Sequence, residues 1–312
     1  MLAAMEESKG KRRGSQALED SPHETARRGS LKERARYVGA RREAATSPAD
    51  ERRRQLGREA GGKDSLHVDQ DVGFGRAEPG SLPGGDAVIE SALGLIERVG
   101  EDALRGRMKK PMAKGFMPKS DFELDSPYMR FALSDEVVAI VSGYLGMIPI
   151  LTYVDVWYSP HVDKATWSSQ LFHLDHADVT QLKLFLYCSD VSSPSGPLTV
   201  LTASDSRRLA KRVKYRLAQT RVADEDVDAV VPADRRAELD GPRGTTYFVD
   251  TSRCFHFGSR VQAGAPPRQL AVFQYLTPHA FEFRDDHREE APFRALAEDG
   301  VSERDRLLLG AD

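Results

Sequence analysis

Hydrophobic positions are unevenly spread along this chain. Over residues 1–64 the bulky apolar side chains are sparse (Leu2, Leu18, Leu31, Tyr37, Val38 and Leu56), while sixteen Lys/Arg and eleven Asp/Glu crowd the same span. Such a segment buries too little apolar surface to offset the entropy of ordering its backbone. Residues 1–85 are therefore expected to form a disordered, charged leader, with fluctuating helix near 31–42 and 49–59. Pro79, Pro83 and the pair Gly84-Gly85 close it. Folded structure is expected over 86–312.

From Asp86 the pattern becomes helical. Val88, Ile89, Ala92, Leu93, Ile96, Val99 and Leu104 recur at helical spacing, with Asp86 as the expected cap. Pro111 and Pro118 break the next stretch. Ser134 should cap a second helix over 135–145, with Val137, Val138, Val141 and Leu145 as its stripe and Gly146 as its stop. The period then shifts to two. Strands are expected over 150–158, 170–175, 181–188, 198–201, 245–250, 254–257 and 269–275. In the third of these, Gln181, Lys183, Phe185 and Tyr187 share one face, and Leu182, Leu184, Leu186 and Cys188 the other. Helices are expected over 204–217 and 224–231, and a short one near 302–309. Helices first, then many short strands with turn signals, predict a mainly β fold: an antiparallel barrel or jelly roll with flanking helices. No βαβ alternation and no glycine-rich phosphate loop occur.

Bulk properties narrow the function class. The 312 residues are 40% hydrophobic and 30% charged, with a formal net charge of −3. That balance creates no field favouring nucleic acid or a membrane surface. No apolar run is long enough for a membrane span, and no apolar stretch near the start reads as a secretory signal. Cys188 and Cys254 sit in strand-like apolar runs and read as buried thiols, so a cytoplasmic location is expected.

The candidate chemistry centres on Phe172-His173-Leu174-Asp175. Residues i and i+2 of a strand point to one face, so His173 and Asp175 aim an imidazole and a carboxylate at a common point. His256, on a later apolar strand, is the best third ligand. Two histidines and a carboxylate on one face suit a non-haem Fe(II) oxygenase, because they leave coordination positions open. Arg268 opens the last strand twelve residues after His256, and a hairpin of that length would bring it back beside the His256 strand. A buried guanidinium there needs an anion and forks onto a carboxylate. The distal carboxylate of 2-oxoglutarate suits that role, with Ser259 as a further donor. Lys183 is a candidate to touch 2-oxoglutarate or an anionic substrate. Trp157, Tyr158, Trp167 and Phe172 are candidate pocket walls. His176 points away from Asp175, and His161 and His279 read as surface residues. The plain alternatives are a half-exposed strand histidine at 173, a turn aspartate at 175 and a surface cation at 268. The basic run Arg207, Arg208, Lys211, Arg212, Lys214 and Arg216 reads as a solvated helix face.

The motifs Phe172-His173-Leu174-Asp175, Leu182 to Tyr187, Asp190-Val191, Ser195-Gly196-Pro197-Leu198 and Gly244…Asp250-Thr251…His256…Gly258-Ser259…Pro267-Arg268 resemble the phytanoyl-CoA dioxygenase family. The resemblance covers roughly residues 86–285. It implies a double-stranded β-helix that binds Fe(II), 2-oxoglutarate and O2 and hydroxylates a C–H bond of a small molecule, releasing succinate and CO2. It matches His173, Asp175 and His256 to the iron ligands, Arg268 to the cosubstrate arginine and, less closely, Ser259 to its hydroxyl neighbour. It also implies hydroxylation over halogenation, since related halogenases lack the carboxylate found here at Asp175. On the residues alone two other functions stay open: a non-catalytic barrel that binds metal or ligand, and a cupin-like metalloenzyme that uses no 2-oxoglutarate.

Overall fold

The computed structural model describes residues 47–62, 65–164, 166–215, 221–280, 283 and 291–311. Two antiparallel sheets face each other in it. Ten-residue β2 (Ile150–Ser159) and β8 (Arg268–Leu276) pair along their whole length, and β3 (Gln181–Tyr187) lines the other side of β8. With β1 (Phe74–Ala77) and β6 (Thr246–Val249) they form a five-stranded sheet in the order β1-β6-β3-β8-β2. The second sheet is small: β5 (Ala237–Leu239), β4 (Leu198–Val200) and β7 (His256–Phe257), extended by a single bridge from His256 to His173. This is the expected jelly-roll arrangement, a double-stranded β-helix with one large wall and one short wall.

The period-two reading of β3 holds. Leu182, Leu184 and Leu186 enter the main core, while Phe185 and Tyr187 pack with residues of the opposite wall. β8 divides the same way: Ala271, Phe273 and Tyr275 lie on the outer side, Leu270 and Val272 on the inner. The outer face is covered by α2 (Gly85–Val99), α4 (Pro127–Ala132) and α5 (Asp135–Leu145). A large sheet thus buries both faces, which leaves the inner one free to carry a site. Beyond the short wall, α6 (Ala203–Arg212) and α7 (Asp224–Asp228) cover a separate apolar cluster that contains Phe172, Leu209, Val227 and Phe255.

Several element expectations are corrected. Residues 47–85 are not a leader. After a short helix-capping contact (Asp50 N–H to Ser47 Oγ, 3.2 Å), α1 (Pro48–Ala60) runs against α5. The aliphatic stripe that sequence reading looks for is missing from α1, because a guanidinium does its docking. Arg53 is buried, and its Nη1 donates to the carbonyls of Ile148 and Leu307, each at 3.1 Å. Gly57 allows close approach, since a Cβ there would lie 2.9 Å from Met147 Cα. β1 is likewise a strand of the main sheet. The part of the expected leader over 1–46 lies outside the described residues. Residues 170–175 form no regular strand either: a 3-10 turn over Ser168–Gln170 leads into isolated bridges at Phe172 and His173. α2 begins at Gly85 with Gly84 in the cap position, so Asp86 lies in the first turn rather than capping it. α6 ends at Arg212, short of 217, and residues 216–220 lie outside the described part. His279 is no surface residue; its ring meets the Asp50 carboxylate and ties the segment after β8 to α1. Cys188 and Cys254 are buried and unpaired, as expected. Among the described residues no helix is long and apolar enough to cross a membrane.

If α1 is an integral part of the fold, Arg53→Ala should destabilise it well beyond a surface substitution. The Ile148 carbonyl loses the Arg53 donor while the Leu307 carbonyl keeps the Gly310 N–H (3.1 Å), which sets the cost at about 1–3 kcal/mol. Urea unfolding followed by circular dichroism measures it, and a change within about 0.5 kcal/mol of zero would place α1 outside the cooperative unit.

Candidate metal centre

The two imidazoles are set by backbone. His173 N–H donates to the His256 carbonyl and His256 N–H to the His173 carbonyl, both at 3.0 Å. This antiparallel bridge places the two ring centroids 4.3 Å apart. Each ring is then turned by a local bond: Nδ1–H of His173 donates to the Leu171 carbonyl (2.8 Å), and Nδ1–H of His256 to the Cys254 carbonyl (2.9 Å). With Nδ1 committed as donor, the lone pair of each neutral ring sits on Nε2, which faces the pocket.

Asp175 completes the set. Its N–H donates to the Thr251 carbonyl (2.8 Å), anchoring it to the turn between β6 and β7. Its Oδ1 lies 3.9 Å from His173 Nε2 and its Oδ2 3.9 Å from His256 Nε2. One ligand atom from each of the three residues lies within 4.8 Å of the others, a spacing one cation can span. His173, Asp175 and His256 therefore converge as expected. They do so from a bridge, a loop and a two-residue strand rather than from regular strands.

Electrostatics prepares these groups for a cation. Burial, reinforced by the neighbouring His256, pushes the His173 imidazole down to about 3, and burial lowers His256 as well. Both rings are thus neutral ligands at neutral pH. Burial would raise the Asp175 carboxyl, but the Lys183 ammonium, followed by the two histidines, outweighs it and holds the group well below the usual carboxylate range. Lys183 Nζ donates to Asp175 Oδ2 at 2.6 Å. Sequence reading placed Lys183 near the cosubstrate; in the structure its ammonium goes to the ligand carboxylate.

Arg268 occupies the far end of the same pocket. Its side chain is 2% exposed, and burial lowers it only to about 10, so it stays charged. Nη2 donates to Ser259 Oγ at 2.7 Å, while Nε and Nη1 have no hydrogen-bond partner among the described residues. A buried guanidinium with two unmet donors is costly unless an anion arrives. The route by which it gets there differs from the expected hairpin. β8 belongs to the large wall and β7 to the small one, so Arg268 reaches across the barrel. The backbone at Gly258 makes room, because a Cβ there would meet Nη1 and Nη2 at 3.2 Å each.

The pocket between the His173/Asp175/His256 set and Arg268 encloses about 510 Å³ free of protein atoms, part of it open to solvent. Trp157, Phe185, Tyr187, Leu198 and Leu270 wall it, with Met112 from the segment before α4. Of the other expected wall residues, Tyr158 faces the main core, Phe172 lies behind the short wall, and Trp167 is 36% exposed. Sequence reading missed Met112, Leu198 and Leu270, whose spacing carries no signal without the barrel's closure.

No protein-family model matches the chain, and no curated protein matches it. Among solved structures, HygX from Streptomyces hygroscopicus, crystallised with nickel and 2-oxoglutarate, is 14% identical at a TM-score of 0.42, covering 66% of this chain and 83% of that one. The non-haem alpha ketoglutarate dependent epimerase SnoN from nogalamycin biosynthesis is 16% identical at 0.41, covering 74% and 84%. EctD from S. alaskensis with bound iron is 17% identical at 0.46, covering 66% and 73%. Likeness at this level says nothing of what this chain does.

The depressed imidazole gives a signed expectation. The unfolded chain protonates His173 near its ordinary 6.5, while the folded, metal-free protein holds off that proton to about 3. Between those values the unfolded state binds more protons, so His173 favours folding progressively more as pH rises from about 3 to 6.5, then levels off. The stability difference between wild type and His173→Asn should follow that curve in metal-free urea titrations. A pH-independent difference would mean the ring is not buried as described.

Proposed function

We propose that this chain is an Fe(II)- and 2-oxoglutarate-dependent oxygenase resembling the phytanoyl-CoA dioxygenase family, hydroxylating a C–H bond of a small molecule. One observation carries this: the His173/Asp175/His256 set and a buried guanidinium with two unmet donors face each other across a single pocket. A metal site alone fits many enzymes and also a structural barrel. The arginine narrows the field, since a charged group buried at the end of a metal pocket calls for a ligand with an anionic tail. Two buried free thiols accord with a reducing compartment such as the cytoplasm.

His173, Asp175 and His256 would hold Fe(II) on one face, leaving the remaining positions for cosubstrate and O2. Bound iron supplies dioxygen activation, with 2-oxoglutarate as the co-reductant that leaves as succinate and CO2. The rest is the protein's work. Arg268 and Ser259 receive the distal carboxylate and so orient the keto-acid end toward the three ligands. Lys183 keeps Asp175 ionised and fixes the rotation of its carboxylate. The apolar wall of Trp157, Phe185, Leu198 and Leu270 excludes water and leaves an uncharged face for the substrate's C–H bond.

The purified protein, given Fe(II), ascorbate and 2-oxoglutarate labelled at C1, should release labelled CO2 slowly on its own and faster with a fitting substrate. Absence of 2-oxoglutarate binding by anaerobic calorimetry in the presence of metal would sink the assignment. Replacing a ligand, as in His256→Ala, should cost more than the roughly 10- to 100-fold loss in metal affinity seen when only a supporting hydrogen bond is removed. Arg268→Ala should leave metal affinity in place and weaken 2-oxoglutarate by about 10- to 100-fold, the scale of a lost charge-assisted pair. If Arg268→Ala binds cosubstrate like wild type, a metalloenzyme that does not use it becomes the better reading.

A further inference from the structure

The end of the pocket around Arg268 holds one more buried hydroxyl. Ser159, the last residue of β2, lies directly across from Arg268 in the β2–β8 register. It is fully buried, and its Oγ sits 3.1 Å from Ser259 Oγ. Among the described residues Ser259 is the sole side-chain partner of the Ser159 hydroxyl.

Ser259 is held in an unusual way. Its φ is +63°, in the left-handed region that a residue with a Cβ seldom adopts. Its carbonyl accepts a bond from Gln170 Nε2 at 2.8 Å, and its N–H donates to the Gly196 carbonyl at 3.3 Å. The strained backbone thus aims this hydroxyl at the guanidinium. A hydroxyl offers one donor and two acceptor positions. Arg268 Nη2 takes one acceptor position of Ser259 Oγ. What happens to the remaining proton depends on Ser159. If Ser159 accepts from Ser259, that proton is spent inside the protein. If Ser159 donates to Ser259, both acceptor positions are filled and the Ser259 proton is left to face the pocket.

We infer that Ser159 is a positioning residue for the distal carboxylate of the cosubstrate. It donates to Ser259 Oγ, so that the Ser259 O–H is free to join the open edge of the Arg268 guanidinium as a donor to one anionic group. An incoming carboxylate favours this arrangement, because it needs donors and only this direction of the serine–serine bond leaves the Ser259 proton free. The inference rests on the 2-oxoglutarate reading above and adds a residue to it.

The test separates the two. Affinity for 2-oxoglutarate and for 2-oxopentanoate is measured anaerobically by calorimetry on the full chain with Mn(II). Both compounds chelate metal through the keto acid, and only the first has the distal carboxylate. Wild type should prefer 2-oxoglutarate; no preference would defeat the cosubstrate assignment itself. With that preference present, Ser159→Ala should weaken 2-oxoglutarate by about three- to tenfold and leave 2-oxopentanoate unchanged. Ser159→Cys, similar in size with a weaker donor, should fall between. Undiminished preference in Ser159→Ala overturns the inference. So does equal weakening of both ligands, which would mark Ser159 as a packing residue.

Discussion

The site depends on one backbone interaction, the reciprocal pair of hydrogen bonds between His173 and His256. Eighty-three positions separate these residues, and closing so long a loop carries an entropic cost that local structure does not recover. The return comes from packing on both sides of the bridge. Phe172 stacks edge-on against Phe257 behind the short wall, and β4 pairs with β7 on the other flank. Once the bridge forms, the two rings need no further search. Each has one Nδ1–H bond to a carbonyl two residues earlier, and both Nε2 atoms turn inward.

The rest of the pocket answers to the charge that this pair gathers. Asp175 brings a carboxylate to two neutral rings, and Lys183 balances it from β3. Arg268 brings a second positive charge across the barrel with no anionic partner among the described residues. Among the described residues, Asp175 is thus paired at the histidine end of the pocket and Arg268 is unpaired at the other. This asymmetry is what the proposed cosubstrate role of Arg268 rests on.

Supporting residues extend behind the ligands. Gln181 Nε2 donates to Thr251 Oγ1 at 2.6 Å, and Asp250 accepts from Tyr144 Oη at 2.8 Å and from the N–H groups of Ser252 and Arg253 at 3.1 Å. Burial pushes the Asp250 carboxyl up to about 7 despite these donors. The turn that carries the Asp175 anchor is therefore built from polar contacts within the core, tied to α5 through Tyr144.

Much of this was determined by the sequence itself. Alternation along β3 identified its inner and outer faces, because a strand buried on two sides still segregates Lys183 from the leucines. The three residues that converge, His173, Asp175 and His256, were picked out by type and spacing, and Arg268 by its position after a proline-rich turn. Three things were decided only by tertiary structure. Residues 47–60 look too polar to order, yet Arg53 finds two buried carbonyls that belong to distant segments. His173 and Asp175 share a face through a bridge and a loop, not through a regular strand, because the short wall offers His173 just one partner. Ser159 reads as the end of a strand until the β2–β8 register sets it opposite Arg268. In each case the deciding contact joins residues far apart in the chain, from 95 and 254 positions for the two Arg53 bonds to residues on separate strands for the others, and periodicity reports only on neighbours.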